Sequence, residues 1–204
     1  LHGRELNMSK VTEPQLNFSV QPLDNGYTLC ANDKPMLTPG KLPFLLPSKP
    51  LADAVCWEWQ TNPRFSPSKM PLTSLAYTAI DRIAGQEDKI IEALLVFLDT
   101  DTLSYRDDGE NKLLAERQKA KWDPVLAWVA SQMGHEMRVT TGIMPQDQDP
   151  ALHRAFEKKM QAMNVMQLSA LSVLASCCSS IVLATALVLG HIDALQAFEL
   201  SRLE

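Results

Sequence analysis

The sequence predicts an α+β protein, with a small strand-rich N-terminal domain carrying one helix and a larger all-helical domain behind it. Three observations predict this. Residues 17–46 hold short alternating runs separated by turn-forming residues, the period of two that a strand imposes. Beyond residue 70 the apolar residues recur every three or four positions, the period of a helix. Between these regions Thr61-Asn62-Pro63-Arg64-Phe65-Ser66-Pro67-Ser68 has two prolines and no period, which marks a linker. The expected organisation is a flexible lead-in over residues 1–16, an α+β domain over 17–66 and a helical domain over 67–204.

The lead-in is polar and aperiodic, as poorly ordered termini are. Asn17-Phe18-Ser19-Val20-Gln21 then alternates, Asp24-Asn25-Gly26 is a turn, and Tyr27-Thr28-Leu29-Cys30 alternates again, which predicts a hairpin. A second hairpin follows from the Asn32-Asp33 turn, Lys34-Pro35-Met36-Leu37, the Thr38-Pro39-Gly40 turn and a strand over residues 42–46, its prolines suited to a sheet edge. Ser48 starts a helix with Leu51, Ala54, Val55, Glu58 and Trp59 on one side and Pro50 tolerated in its first turn.

The helical domain begins with residues 71–84, whose apolar positions include Leu72, Leu75, Ile80 and Ile83 and whose end is Gly85. Residues 87–98 repeat the pattern. Residues 111–121 form a charged, largely exposed helix. Trp122-Asp123-Pro124 then reads as a fresh helix start, because Asp can accept an N–H of the first turn and Pro fits the first helical position. Gly134 ends that helix. Asp149-Pro150 is the same device ahead of a helix through residue 163. A single long helix is expected over 165–189, ending at Gly190, and Asp193 starts a last one through 203.

Composition excludes several classes. Hydrophobic residues make up 46% and charged residues 21% of the chain, a balance that points to neither disorder nor a fibrous repeat. The net charge of −5 is spread evenly, with no basic stripe and interleaved aromatics, so no nucleic-acid partner is expected. Residues 160–190 carry no charge, long enough for a membrane span. Their many Ser, Thr, Asn and Gln side chains would lack partners in hydrocarbon, so a buried helix is expected and no membrane insertion. The cysteines Cys30, Cys56, Cys177 and Cys178 form no CxxC pair, and reduced, buried thiols in a reducing compartment are expected. No secretory leader is seen, and a removed transit peptide is compatible with the sequence.

Motifs for catalysis are few. There is no Walker-type or dinucleotide-binding glycine loop, no zinc helix around His135-Glu136 and no nucleophile elbow. Cys56 beside Trp57 sits on an amphipathic helix and is expected in the core. The region of Trp57 and Trp59 could line a small-molecule pocket. The densest chemistry is Phe97-Leu98-Asp99-Thr100-Asp101-Thr102-Leu103-Ser104-Tyr105-Arg106. Asp99 and Asp101 could hold a hard cation, with Asp107 or Asp81 as a third ligand, in a metal-dependent hydrolase. The favoured reading is a helix junction: Asp99 ends a helix, Asp101 or Thr102 accepts a backbone N–H, and Arg106 neutralises an acid.

Several motifs together resemble a known family. They are Lys34-Pro35-Met36-Leu37-Thr38-Pro39, Glu58-Trp59 after an alanine-rich helix, and Met70-Pro71-Leu72-Thr73 running into Thr78-Ala79-Ile80-Asp81. Then come residues 97–106, residues 118–128, Gly142-Ile143-Met144-Pro145 and Leu200-Ser201-Arg202-Leu203-Glu204, in order and over about residues 17–204. With them the chain resembles the assembly chaperones of the ATP synthase α subunit, found in mitochondria and α-proteobacteria. Tyr77 and Ser104 depart from the family pattern, where a small amide and a cysteine are usual.

The resemblance implies a non-catalytic chaperone without cofactor or metal, monomeric, in the mitochondrial matrix or the cytoplasm of an α-proteobacterium. Its partner would be the unassembled α subunit, kept soluble until handed to the β subunit. Partner-binding residues implied by the motifs are Trp59, Asp81, Asp101, Tyr105, Arg106, Trp122, Asp123, Arg202 and Glu204. Each also has a structural expectation: Trp59 and Trp122 as core, Asp123 as a cap, and Asp81, Arg106 and Arg202 in buried charge pairs.

Overall fold

A two-residue turn sets the first register. Asp24 and Asn25 connect β1 (Phe18–Leu23) to β2 (Gly26–Ala31), which pair antiparallel from Leu23 opposite Gly26 to Phe18 opposite Ala31. Gly26 has φ +143°, and a side chain there would strike the Leu46 carbonyl at 2.5 Å, so only glycine fits. Asn32 and Asp33, with φ +50° and +61°, make the next turn into β3 (Lys34–Pro35). Two consecutive left-handed residues match the twist of a tight hairpin. The expected strand over 42–46 is shorter than its sequence suggests. Only β4 (Leu45–Leu46) pairs with β2, and Leu37 and Pro43 add one isolated bridge. Proline cannot donate to a ladder, which limits this edge.

The computed structural model describes residues 16–62, 64–109, 111–142, 144 and 146–203. The expected lead-in lies almost wholly outside them. Helix α1 (Lys49–Thr61) covers the sheet with Ala52, Val55, Cys56 and Trp59, against Phe18, Leu29, Phe44 and Leu46. Ser48 occupies the N-cap position without a side-chain cap bond.

Two compact units divide the chain, one ending at Ser74 and one spanning Leu75–Glu204. The division falls inside α2 (Pro71–Thr78), not at the 66/67 boundary inferred from the prolines. The cause is Glu58 on α1. Its buried carboxylate accepts from Leu72 N, Thr73 N and Thr73 Oγ1 at 2.8, 2.8 and 2.7 Å, so the first turn of α2 is capped by α1 and belongs with it.

In the second unit the helix predicted over 71–84 continues from α2 as a π turn (Ala79–Ile83), in which Ala84 N donates to Ala79 O at 2.9 Å. Ser169 Oγ donates to the Leu75 carbonyl at 3.0 Å, the carbonyl that Ala79 N would use in a regular α-helix. A side chain entering the ladder is a known cause of such widening. Then come α3 (Glu87–Asp99), a 3₁₀ turn (Thr102–Ser104), β5 (Tyr105–Arg106), α4 (Lys112–Met133), β6 (Thr140–Thr141), α5 (Pro150–Gln161), α6 (Val165–Cys178), α7 (Ile181–Val188) and α8 (Ala194–Leu200). Their apolar faces form one core around Leu98, Trp122, Phe156, Leu171 and Leu183.

Two helix boundaries depart from expectation. The long helix over 165–189 is two helices, broken at Ser179 with φ +49°. Neither is long and apolar enough to cross a membrane, and no other helix among the described residues is. Conversely, the charged helix and the helix expected to start at Trp122-Asp123-Pro124 are one continuous α4 with Pro124 inside it. Asp149 and Asp193 cap α5 and α8 as expected, and Gly134 closes α4 in the left-handed conformation at φ +73°.

Candidate functional site

The 3₁₀ turn places Asp101 at the start of α7. Its fully buried carboxylate accepts from Leu103 N at 2.9 Å, Ser180 Oγ at 2.9 Å and Val182 N at 3.0 Å. Ser180 Oγ in turn accepts from Leu183 N at 3.0 Å. A carboxylate from one segment thus caps a helix from another, and the Thr102 backbone N and Oγ1 both donate to the Ser179 carbonyl. This arrangement breaks the 165–189 run where no glycine or proline occurs. Burial pushes the Asp101 carboxyl up to about 6, opposed by the bonds from Val182, Leu103 and Ser180.

Asp99 has a separate set of donors, Gln148 N at 3.0 Å and the His153 ring at 3.1 Å. The carboxylates of the D-x-D pair are therefore each occupied by the protein. Among the described residues no group of three or more His, Cys, Asp or Glu side chains is placed to hold a metal. The helix-junction reading of residues 97–106 holds in its main point, with Asp101 the acceptor.

Arg106 joins this junction to α4. Its guanidinium donates to the Leu103 carbonyl, to the Tyr105 carbonyl at 3.2 Å and to Asp123 Oδ1 at 3.0 Å, and lies 5.1 Å from the centre of the Trp122 ring. The acid it neutralises is Asp123, outside the 97–106 stretch. Asp123 therefore serves as an ion-pair partner on the side of a continuous helix, not as an N-cap. Trp122 is core, as expected, and its indole N–H donates to the Leu200 carbonyl at 2.9 Å. Gln118, one turn earlier, accepts from Asp107 N at 2.9 Å and reaches the Leu203 carbonyl at 3.5 Å. Tyr105 pairs with Thr140 between β5 and β6, a parallel contact that the sequence pattern did not suggest. A cleft of about 400 Å³ opens beside Tyr105, Arg106, Gln118 and Trp122.

So Asp101, Tyr105, Arg106, Trp122 and Asp123 gather at one junction, which the 191–203 segment joins through the bonds from Trp122 and Gln118 to the Leu200 and Leu203 carbonyls. Trp59 is core in the first unit, against Phe18 at 5.4 Å and Phe65 at 6.2 Å. Its indole N–H has no hydrogen-bond partner among the described residues. The neighbouring Trp57 is 64% exposed. Asp81 is half-buried on the π turn. Arg202 is exposed, with its guanidinium 5.7 Å from the Phe198 ring, so the expected buried charge pair is corrected for it. Arg106 is the member that is nearly buried, at 10% side-chain exposure against 48% for Asp123. Glu204 lies outside the described residues. Cys30, Cys56 and Cys178 are buried free thiols pushed up by burial, whereas Cys177 is exposed, contrary to expectation.

A second, larger groove of about 730 Å³ runs between α4 and the 191–203 segment. Its lining includes Arg117, Lys121, Pro124, Phe198 and Arg202. Apart from Arg202, sequence reasoning missed these residues. Arg117 and Lys121 read as a solvated charged face, and their four-residue spacing was the only available signal.

Comparison with known proteins places the chain among chaperones. It belongs to the ATP12 chaperone family, whose model matches residues 13–130. A mitochondrial protein atp12 of Schizosaccharomyces pombe is 30% identical over 165 residues, or 76% of this chain and 56% of the relative, so the chain spans little more than half of that protein. The crystal structure of Atp12 from Paracoccus denitrificans matches 91% of this chain and 80% of its own, with 34% identity and a TM-score of 0.84. A protein of Agrobacterium tumefaciens matches 92% and 70%, with 33% identity and the same TM-score. These likenesses bear out both the family read from the motifs and the α+β class.

Proposed function

We propose that the chain is a non-catalytic assembly chaperone of the ATP synthase. It binds the unassembled α subunit of the catalytic head, keeps it soluble and yields it to the β subunit. The observation that carries this reading is the family membership, joined to a likeness covering nine-tenths of the chain with Paracoccus denitrificans Atp12. The site geometry agrees with it. Asp99, Asp101, Arg106 and Trp122, the residues best suited to chemistry, are engaged in joining helices.

Subunits of an obligate ring expose large apolar interfaces before assembly, and such surfaces aggregate. A monomeric binder that covers one of them needs neither ATP nor a cofactor, since a tighter partner can displace it. The reading places the chain where the catalytic head is assembled, in the mitochondrial matrix or the cytoplasm of an α-proteobacterium.

The test is co-expression with the cognate α subunit. The soluble fraction of α should rise and α should be captured with the chain, and added β subunit should release it. An α subunit that aggregates equally with and without the chain would sink the proposal.

A further inference from the structure

We infer that the groove between α4 and the 191–203 segment docks an acidic segment of the client that carries an apolar anchor. This rests on the assembly-chaperone reading and adds to it the docking surface and the chemistry of what docks. The floor of the groove is apolar and sealed, formed by Val125, Ile192, Leu200 and Leu203, all buried. Its edge carries Phe198, 59% exposed, with Leu195 66% exposed on the same short helix. Large apolar side chains left in water beside a groove mark a contact surface.

Charge decides the occupant. Arg117 and Lys121, one turn apart on α4, and Arg202 on the facing segment line the groove, against one carboxylate among the described residues, Glu199. None of the three cations forms an ion pair with a described residue. The whole chain carries −5, so this cationic edge runs against the overall sign. An acidic partner is repelled by the bulk of the surface and favoured here, which gives the encounter an orientation.

The groove is also held in shape before anything binds. Trp122 and Gln118 of α4 hold the carbonyls of Leu200 and Leu203, fixing the distance between its walls. A preformed site loses less freedom on binding. At about 730 Å³ it takes a few side chains, the scale of an anchor pocket within a wider interface.

The test measures α-subunit binding by the intact chain and by an Arg117→Glu/Lys121→Glu variant, both positions exposed. Binding should weaken about 10-fold or more and lose its dependence on salt between about 0.05 and 0.5 M. A control, Lys89→Glu/Lys158→Glu on exposed positions of α3 and α5, makes the same charge change and should bind within about two-fold of wild type. Phe198→Ala, which removes the exposed anchor and its exposed contact with Arg202, should weaken binding about five-fold while changing thermal unfolding little.

Wild-type binding with no loss in either groove variant overturns the groove assignment and leaves the chaperone reading standing. Failure of wild type to bind α removes the chaperone reading itself. Equal losses in the groove and control variants overturn the assignment in favour of a diffuse charge effect. A wild-type dimer that the groove variant disperses overturns it in favour of a second copy as occupant.

Discussion

Two helical stretches of this protein behave in opposite ways. Residues 165–188 have no proline, no glycine and no charge, yet they break into two helices at Ser179. Residues 112–133 contain Asp123-Pro124, a strong local start signal, yet they form one helix. The difference lies in what reaches each stretch from elsewhere. Asp101, far away in sequence, offers a buried acceptor to Val182 N and Ser180 Oγ, so a new helix start there is capped. On α4, Arg106 holds Asp123 from the side, while Gln118 and Trp122 fix both turns leading into Pro124. A helix boundary is thus set by which backbone groups find partners, and distant side chains can supply or withhold them.

The largest expected effect comes from removing the distant cap. Asp101→Ala leaves two buried backbone N–H groups and a buried hydroxyl without their acceptor, at about 1 to 3 kcal/mol each. It also relieves a carboxylate of its burial, which offsets part of that loss. We expect a net loss of about 2 to 3 kcal/mol at neutral pH by urea unfolding. A loss under about 0.5 kcal/mol would mean that the break at Ser179 does not depend on Asp101.

The same residue gives a pH signature. Its carboxyl is raised from 3.8 to about 6 in the folded state, so the folded chain holds the proton more tightly than the unfolded chain. The stability from this group is complete below pH 3.8 and is lost as the pH rises through about 6. Relative to Asp101→Asn, wild type should lose on the order of 2 to 3 kcal/mol across that window and stay level above it. A constant difference from pH 4 to pH 7 would contradict the raised carboxyl.

On α4 the corresponding change is Trp122→Phe. It keeps most of the apolar bulk and removes the N–H that reaches the Leu200 carbonyl. A lost buried hydrogen bond plus a small void should cost about 1 to 2 kcal/mol. Hydrogen exchange should localise the loosening to α8, and protection there at the wild-type level would show that α8 is held by other contacts.

These opposite cases also show how much was legible in the sequence. Signals that act within a few residues were readable: the Asp24-Asn25-Gly26 hairpin, the caps at Asp149 and Asp193, and the closing glycine at Gly134. Residues 97–106 were legible as a junction, although Arg106 paired with an acid 17 positions on. The tie from Glu58 to Thr73 and the link from Asp101 to Ser180 were not legible. Each joins elements whose separation in sequence says nothing of their distance in space. The groove was hidden for another reason. Arg117 and Lys121 have the pattern of an ordinary solvated face, and only the arrival of Phe198 and Arg202 opposite them makes a surface of it.

The smallest effect expected is that of Pro124→Ala. Proline inside a helix cannot donate to the carbonyl four residues back, here that of Ala120, and its ring crowds that carbonyl. Ala120 and Pro124 are exposed and line the groove, where water can bond the carbonyl, so much of the usual penalty is avoided. Alanine would regain a helical hydrogen bond worth about 1 kcal/mol and enlarge the freedom of the unfolded chain by a comparable amount. The two nearly cancel, and the net change should be a gain of less than about 1 kcal/mol in urea unfolding. A marked loss would show that the proline ring itself packs the junction of α4 with the 191–203 segment, and the continuity of α4 would then depend on Pro124 rather than persist in spite of it.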